Sequence, residues 1–245
     1  NAGGALVFRD SRTVGQGVVT FSINNAPSDL EVWQINRLGS HSKVLGSLNG
    51  SSYEFNADAS ELKEYVAFTG SNFNSPDYIG EIENQDLHAM PVPEMIIVVH
   101  PNFLEEAEEL AKYHNETENV NTAVATTDQI YNEYGSGGQD LSSIRDFIKD
   151  LYDRSENGQF KYVLLFGDAS YDYKDRVSGN NNFVPTWQSN YSYSLGLSSI
   201  TDDYFAYMDP GEATQFSGAI MDLGVGRAPV SNKVQAQNFV NKVKH

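Results

Sequence analysis

Lys161-Tyr162-Val163-Leu164-Leu165-Phe166-Gly167-Asp168 is an apolar run that stops on a glycine and an aspartate. A strand with one wet face alternates polar and apolar residues, whereas a run without alternation needs cover on both faces, as strands in parallel sheets have. Met95-Ile96-Ile97-Val98-Val99, introduced by Pro91-Val92-Pro93, reads the same way. Helical spacings follow each run. Phe103, Ala107, Leu110 and Ala111 fall on one stripe, and Asp140 caps a segment whose Leu141, Ile144, Ile148 and Leu151 are three, four and three residues apart. Glu105, Glu106, Glu108 and Glu109 sit near the first helix's start, where its dipole tolerates them. Residues 120–125, 203–208 and 219–225 are further strand candidates, and a last helix begins after Pro229 with Ser231 as cap and Val234, Phe239, Val240 and Val243 as apolar positions. Strand and helix alternating in this order predict an α/β subdomain over residues 86–245, built on an open, mainly parallel sheet.

Residues 1–85 read differently. Val18-Val19-Thr20-Phe21-Ser22-Ile23, Leu30-Glu31-Val32-Trp33-Gln34-Ile35, Tyr53-Glu54-Phe55 and Glu64-Tyr65-Val66-Ala67-Phe68 are short alternating runs. Turn signals separate them at Asn24-Asn25, Gly39-Ser40 and Asn49-Gly50. An antiparallel β module is expected here, and residues 71–80, with Pro76 and several Asn and Ser residues, form an irregular connector.

Composition removes several function classes. Sixteen basic and thirty-three acidic residues leave a formal net charge of −17, which repels phosphate backbones and anionic lipid, so no nucleic-acid partner is expected. The apolar runs are far too short for a membrane-spanning segment. The chain has no cysteine, hence no disulfide and no thiolate nucleophile within these residues. It begins at Asn1 without an initiator Met and stops at Lys244-His245 inside a helical pattern, and is read as a piece of a longer protein.

Ligands of open α/β sheets bind beyond the carboxyl ends of the strands, so the residues there come first. Asp168 with Asp172, Asp175, Asp202 and Asp203 could offer oxygen ligands to calcium, although their spacing matches no calcium loop. Alternatively Asp168 caps backbone amides and the others are solvated. His100 could overhang the crevice or could merely open the next helix, and the other histidines show no zinc spacing. Gly135-Ser136-Gly137-Gly138 lacks the order of a nucleotide-binding loop. Arg227 could hold a substrate carboxylate or form a structural ion pair. Tyr171, Tyr173, Trp187, Tyr191 and Tyr193 could gather into a surface that recognises a glycan or a cargo segment, or could pack a long loop onto its own domain.

Several segments, in order, resemble the catalytic domain of the gingipain family of cysteine peptidases, and most closely its branch that serves as the C-terminal signal peptidase, or sortase, of type IX secretion. They are Ile130-Tyr131-Asn132-Glu133-Tyr134-Gly135-Ser136-Gly137, Ile144-Arg145-Asp146-Phe147, Tyr162-Val163-Leu164-Leu165-Phe166-Gly167-Asp168-Ala169-Ser170-Tyr171-Asp172-Tyr173-Lys174, Pro185-Thr186-Trp187-Gln188-Ser189, Thr201-Asp202-Asp203-Tyr204-Phe205 and Gly224-Val225-Gly226-Arg227-Ala228-Pro229. The resemblance implies a caspase-like α/β fold of two subdomains, the second carrying a His–Cys dyad whose His lies in a Gly-His-Gly context. This chain contains neither Gly-His-Gly nor Cys, so no catalytic residue is carried over. What remains looks like the β module plus the first, non-catalytic subdomain. The implied partners are the catalytic second subdomain and the secretion components or cargo; the implied location is the extracellular face of a bacterial outer membrane or the medium. Family members often bind calcium, which points again to Asp168, Asp172, Asp202 and Asp203.

Overall fold

Alternating runs pair antiparallel in the first part of the chain, and continuous apolar runs pair parallel in the second. In the computed structural model residues 5–35, 41–69, 75–189, 198–212 and 219–245 are described. The chain divides into two units, Asn1–Ile82 and Glu83–His245.

The first unit contains β1 (Leu6–Phe8), β2 (Val18–Asn24), β3 (Leu30–Ile35), β4 (Ser42–Lys43), β5 (Ser47–Asn49), β6 (Ser52–Asp58) and β7 (Glu64–Thr69). They form two antiparallel sheets, ordered β1-β7-β3-β4 and β2-β6-β5. Every second residue of β2 points inward, so Phe21 lies opposite Phe55 of β6 with the rings stacked at 5.3 Å. Val32, Phe55, Tyr65 and Ala67 are the buried centre of this unit. Gly50 supplies the positive φ of +63° that turns β5 into β6. The Gly39-Ser40 turn lies outside the described residues.

The second unit contains β8 (Met95–Val99), α1 (Leu104–Tyr113), β9 (Thr122–Thr126), α2 (Thr127–Tyr134), α3 (Leu141–Arg154), β10 (Tyr162–Phe166), β11 (Trp187–Gln188), β12 (Ile200–Thr201), β13 (Gly224–Ala228) and α4 (Lys233–Lys244). Its main sheet is parallel throughout, in the order β13-β10-β8-β9. Both faces are covered, which explains the unalternated runs. Ile96, Val98, Val163 and Leu165 face a core shared with Ile144, Phe147, Ile148 and Leu151 of α3 and with Phe205 and Met208. Ile97, Val99 and Phe166 face a second core with Ala107 and Leu110 of α1 and Ala236 and Val240 of α4.

Three sequence expectations are corrected. Residues 203–208 do not form a strand: Asp203–Phe205 is a single 3-10 turn, because Tyr204 and Phe205 both bury rather than alternate. The strand expected over 219–225 is Gly224–Ala228, since Gly224 takes up the ladder beside Tyr162. The cap of α4 is Asn232, whose side chain accepts from the Gln235 N–H at 3.0 Å, and Val234 on that helix is exposed.

The segment entering the sheet is tied down by one carboxylate. Glu133 accepts from the Leu87 N–H at 2.8 Å, from the Gln85 amide at 2.8 Å and from the His88 ring at 3.0 Å, while that ring stacks on Tyr134 at 4.3 Å. Burial pushes the Glu133 carboxyl up, but the Leu87 N–H, the Gln85 amide and His88 outweigh it and hold the group below its usual range. A folded-state value below the unfolded one means the contribution is complete above the unfolded pKa, about 4.3 for a glutamate, and fades as pH falls through the folded value. Glu133→Gln is therefore expected to cost about 1–2 kcal/mol near neutrality, with a deficit against wild type in urea melts that narrows in acid. A deficit equal at neutral and acid pH would show that charge plays no part.

Candidate functional site

The carboxyl ends of the parallel strands form the rim where chemistry would be placed. After β8, His100 opens the next turn: its Nδ1 accepts from the Asn102 N–H at 3.2 Å, and its ring meets Phe183 edge-on at 4.9 Å. Half-burial pushes this imidazole below its usual range, against the pull of Asp128. No nucleophile is hydrogen-bonded to it among the described residues. It is a helix-entry residue.

After β9, Thr126 and Gln129 form a reciprocal capping box that starts α2. The glycines behind α2 are explained by crowding: a Cβ on Gly135 would stand 2.4 Å from the Ser143 hydroxyl, and Gly137 turns at φ +81° to donate its N–H to Tyr131.

After β10 the chain turns at Gly167, with φ +149°, where a Cβ would press on Phe183 and Val184 at 3.0 Å. Asp168 follows; it accepts from its neighbour's N–H at Ala169, and its other oxygen takes the Ser231 hydroxyl at 3.2 Å. Asp168 also binds the long connection through its backbone, with its N–H donating to Val230 and its carbonyl accepting from Phe183 and Val184.

Arg227, next to last in β13, is the hub of the rim. Its guanidinium grips Asp202 with two bonds, Nε to Oδ2 at 2.8 Å and Nη2 to Oδ1 at 2.7 Å. Nη1 donates to the carbonyls of Gly167 at 2.8 Å and Val184 at 2.7 Å. Thr186 adds its hydroxyl to Asp202 at 2.8 Å. Arg227 is 12% exposed at the side chain and Asp202 24%, so this fork fastens the strand end, the loop after β10 and the segment after β12 together. It holds no free donor face for a substrate carboxylate.

The four carboxylates proposed for calcium do not fit one cation site. Both Asp202 oxygens are engaged by a guanidinium, whose charge opposes a metal ion at the same place. Asp172 is buried and spends an oxygen on the Val177 N–H at 2.6 Å, Asp168 is committed to Ala169 and Ser231, and Asp203 starts the turn after Asp202. Among the described residues no three His, Cys, Asp or Glu side chains gather in a way that could hold a metal. Of the candidate aromatic surface, Tyr171 is exposed, Tyr173 donates its hydroxyl to the Gln139 carbonyl at 2.8 Å and Trp187 packs on the core, while Tyr191 and Tyr193 lie outside the described residues.

Residues 88–245 match the profile of Peptidase family C25. The chain belongs to peptidase family C25, the gingipain family. A crystal structure of dimeric latent PorU from Porphyromonas gingivalis has the same fold, with a TM-score of 0.75 and 27% identity over 100% of this chain. The chain spans 25% of that PorU chain. No curated protein matches it. In this C25 chain Asp168, Asp202 and Arg227, at the rim after the parallel strands, bond within the chain. The structural ion pair that the sequence offered for Arg227 is present, but its partner Asp202, twenty-five residues away in the chain, could not be read; the Gly-Arg and Asp-Asp pairs were visible, but only the fold brings them together.

Proposed function

We propose that this chain is the supporting part of a gingipain-like cysteine endopeptidase or sortase that processes the C-terminal signals of type IX secreted cargo, and is itself inactive. The observation that carries this reading is the rim itself. In a family of cysteine peptidases, Asp168, Asp202 and Arg227 at the carboxyl ends of these strands are spent on internal bonds, and the chain has no cysteine. A thiolate–imidazole pair needs a rigid neighbour that fixes its geometry without donating a reacting atom, and the Arg227 fork supplies that rigidity.

On this reading residues 1–85 are a β module and residues 86–245 the first, non-catalytic subdomain. The partners are a second subdomain bearing a Gly-His-Gly and a later Cys, together with cargo or secretion components. The place of action is the extracellular face of an outer membrane or the medium. Among the described residues no helix is long and apolar enough to cross a membrane.

The experiment is a cleavage assay on a peptide spanning a cargo signal junction. The chain alone is expected to show no turnover. The full-length protein is expected to cleave, and to stop when its thiol is alkylated. Turnover by the chain alone, or cleavage by the full-length protein that survives alkylation, would overturn the proposal.

A further inference from the structure

We propose that residues 75–82 are a docking strip, which lies extended in an apolar groove edged by lysine or arginine on the remainder of the longer protein. The proposal rests on the reading of the chain as one part of such a protein.

Ser75-Pro76-Asp77-Tyr78-Ile79-Gly80-Glu81-Ile82 closes the first unit. The structure gives these residues neither helix nor strand, and all eight are exposed. Among the described residues none of the eight makes a hydrogen bond or an ion pair. Flexible tethers that stay in water are built from glycine, serine and charge. This one carries three large apolar side chains: Tyr78 is 81%, Ile79 100% and Ile82 64% exposed. Single exposed apolar residues are ordinary, whereas a cluster of them marks an interaction site.

The local pattern sets how the strip binds. In an extended chain alternate residues share a side, so Tyr78, Gly80 and Ile82 fall on one side and Asp77, Ile79 and Glu81 on the other. A Cβ added at Gly80 would meet nothing within 4 Å, so packing within the chain does not require this glycine. Between two apolar anchors it lets a facing backbone come close. Extended peptides are held in this manner, by main-chain hydrogen bonds and by pockets for alternate side chains.

Charge sets the character of the groove. From residue 64 to residue 111 there is no lysine or arginine, while Asp77, Glu81 and Glu83 lie in or beside the strip. These carboxylates favour a receiving surface with basic edges and repel an acidic one. A second copy of this chain, at −17, is a poor match on that ground. Length points to the owner of the groove. This chain corresponds over 100% of its length to 25% of the PorU chain, so in a protein of that size most of the surface that could cover the strip lies outside these residues.

Hydrogen exchange on this chain and on the full-length protein tests the proposal. In the chain the amides of residues 77–82 are expected to exchange as in an unfolded peptide. In the full-length protein they are expected to exchange slower by about a hundredfold or more, with weaker protection at high salt. Tyr78→Ser combined with Ile82→Ser is expected to leave the melting temperature of the chain unchanged, because both side chains are exposed there. In the full-length protein the same pair is expected to restore fast exchange, and Asp77→Lys with Glu81→Lys to reduce protection. Fast exchange in the full-length protein, protection that ignores the serine pair, or protection that grows with protein concentration, as a second copy would give, would each overturn the proposal. Cleavage of the cargo junction is scored separately: a full-length protein that cleaves with the strip unprotected rejects the docking strip alone, and one that protects the strip without cleaving rejects the proposed activity alone.

Discussion

Arg227→Ala is expected to lower the stability of the α/β unit by about 3–5 kcal/mol, the range for breaking a buried ion pair by removing one partner. The loss has three sources. The Asp202 carboxylate stays largely buried with only the Thr186 hydroxyl for company, the Gly167 and Val184 carbonyls lose their shared donor, and the loop after β10 is no longer clasped to β13. In a chain of this size the melting temperature should fall on the order of 10 °C. Arg227→Lys should recover only part of this, because one ammonium cannot make a two-toothed bond to Asp202 and reach two carbonyls as well. A double-mutant cycle with Asp202→Asn separates the pair from the rest: the double variant should lose less than the sum of the singles, since neither charge is then stranded. Single variants within about 1 kcal/mol of wild type, the ordinary range for an exposed pair, would show that the fork is ornamental.

The fold was readable to the degree that burial writes itself into local sequence. Met95–Val99 and Tyr162–Phe166 are strands covered on both faces, and their unalternated runs said so. The Phe103–Ala111 stripe and the Asp140 cap were local signals too, and the side chains at both behave accordingly. Readability failed where long-range contacts decide. Tyr204-Phe205-Ala206-Tyr207-Met208 looks like a strand by composition, yet all five are buried, four of them in the core on the α3 side of the sheet, and only a turn results. Helix α2 went unread although Thr126 and Gln129 spell a capping box, because no long apolar stripe follows in its eight residues. The rim was harder still. The aspartates were noticed as a group because they are acidic and near strand ends, but a carboxylate's partner is set by the fold, and for Asp202 that partner is a guanidinium rather than a cation from solution.

The two cores also separate two roles for β10, whose alternate residues face opposite helices. Phe166 is fully buried on the α1–α4 side and meets Phe239 edge-on at 5.7 Å, while Leu165 is fully buried on the α3 side. Helix α4 is lightly held: Ala236 and Val240 are its only fully buried residues, and its ion pairs from Lys233 to Glu105 and Lys244 to Glu109 are at least partly exposed. Such surface pairs contribute about 0–1 kcal/mol each, so the aromatic contact beneath the helix should dominate its attachment. Phe166→Ala is expected to destabilise by about 3–5 kcal/mol through the cavity it leaves. Hydrogen exchange should show α4 amides losing protection before those of β8, because the helix can lift while the ladder stays paired. Leu165→Ala, about 2–5 kcal/mol by the same reasoning, should instead loosen α3 and leave the α4 amides as protected as the sheet. If α4 responds equally to both substitutions, the two faces of β10 form one cooperative unit and the attachment of α4 does not depend on Phe166.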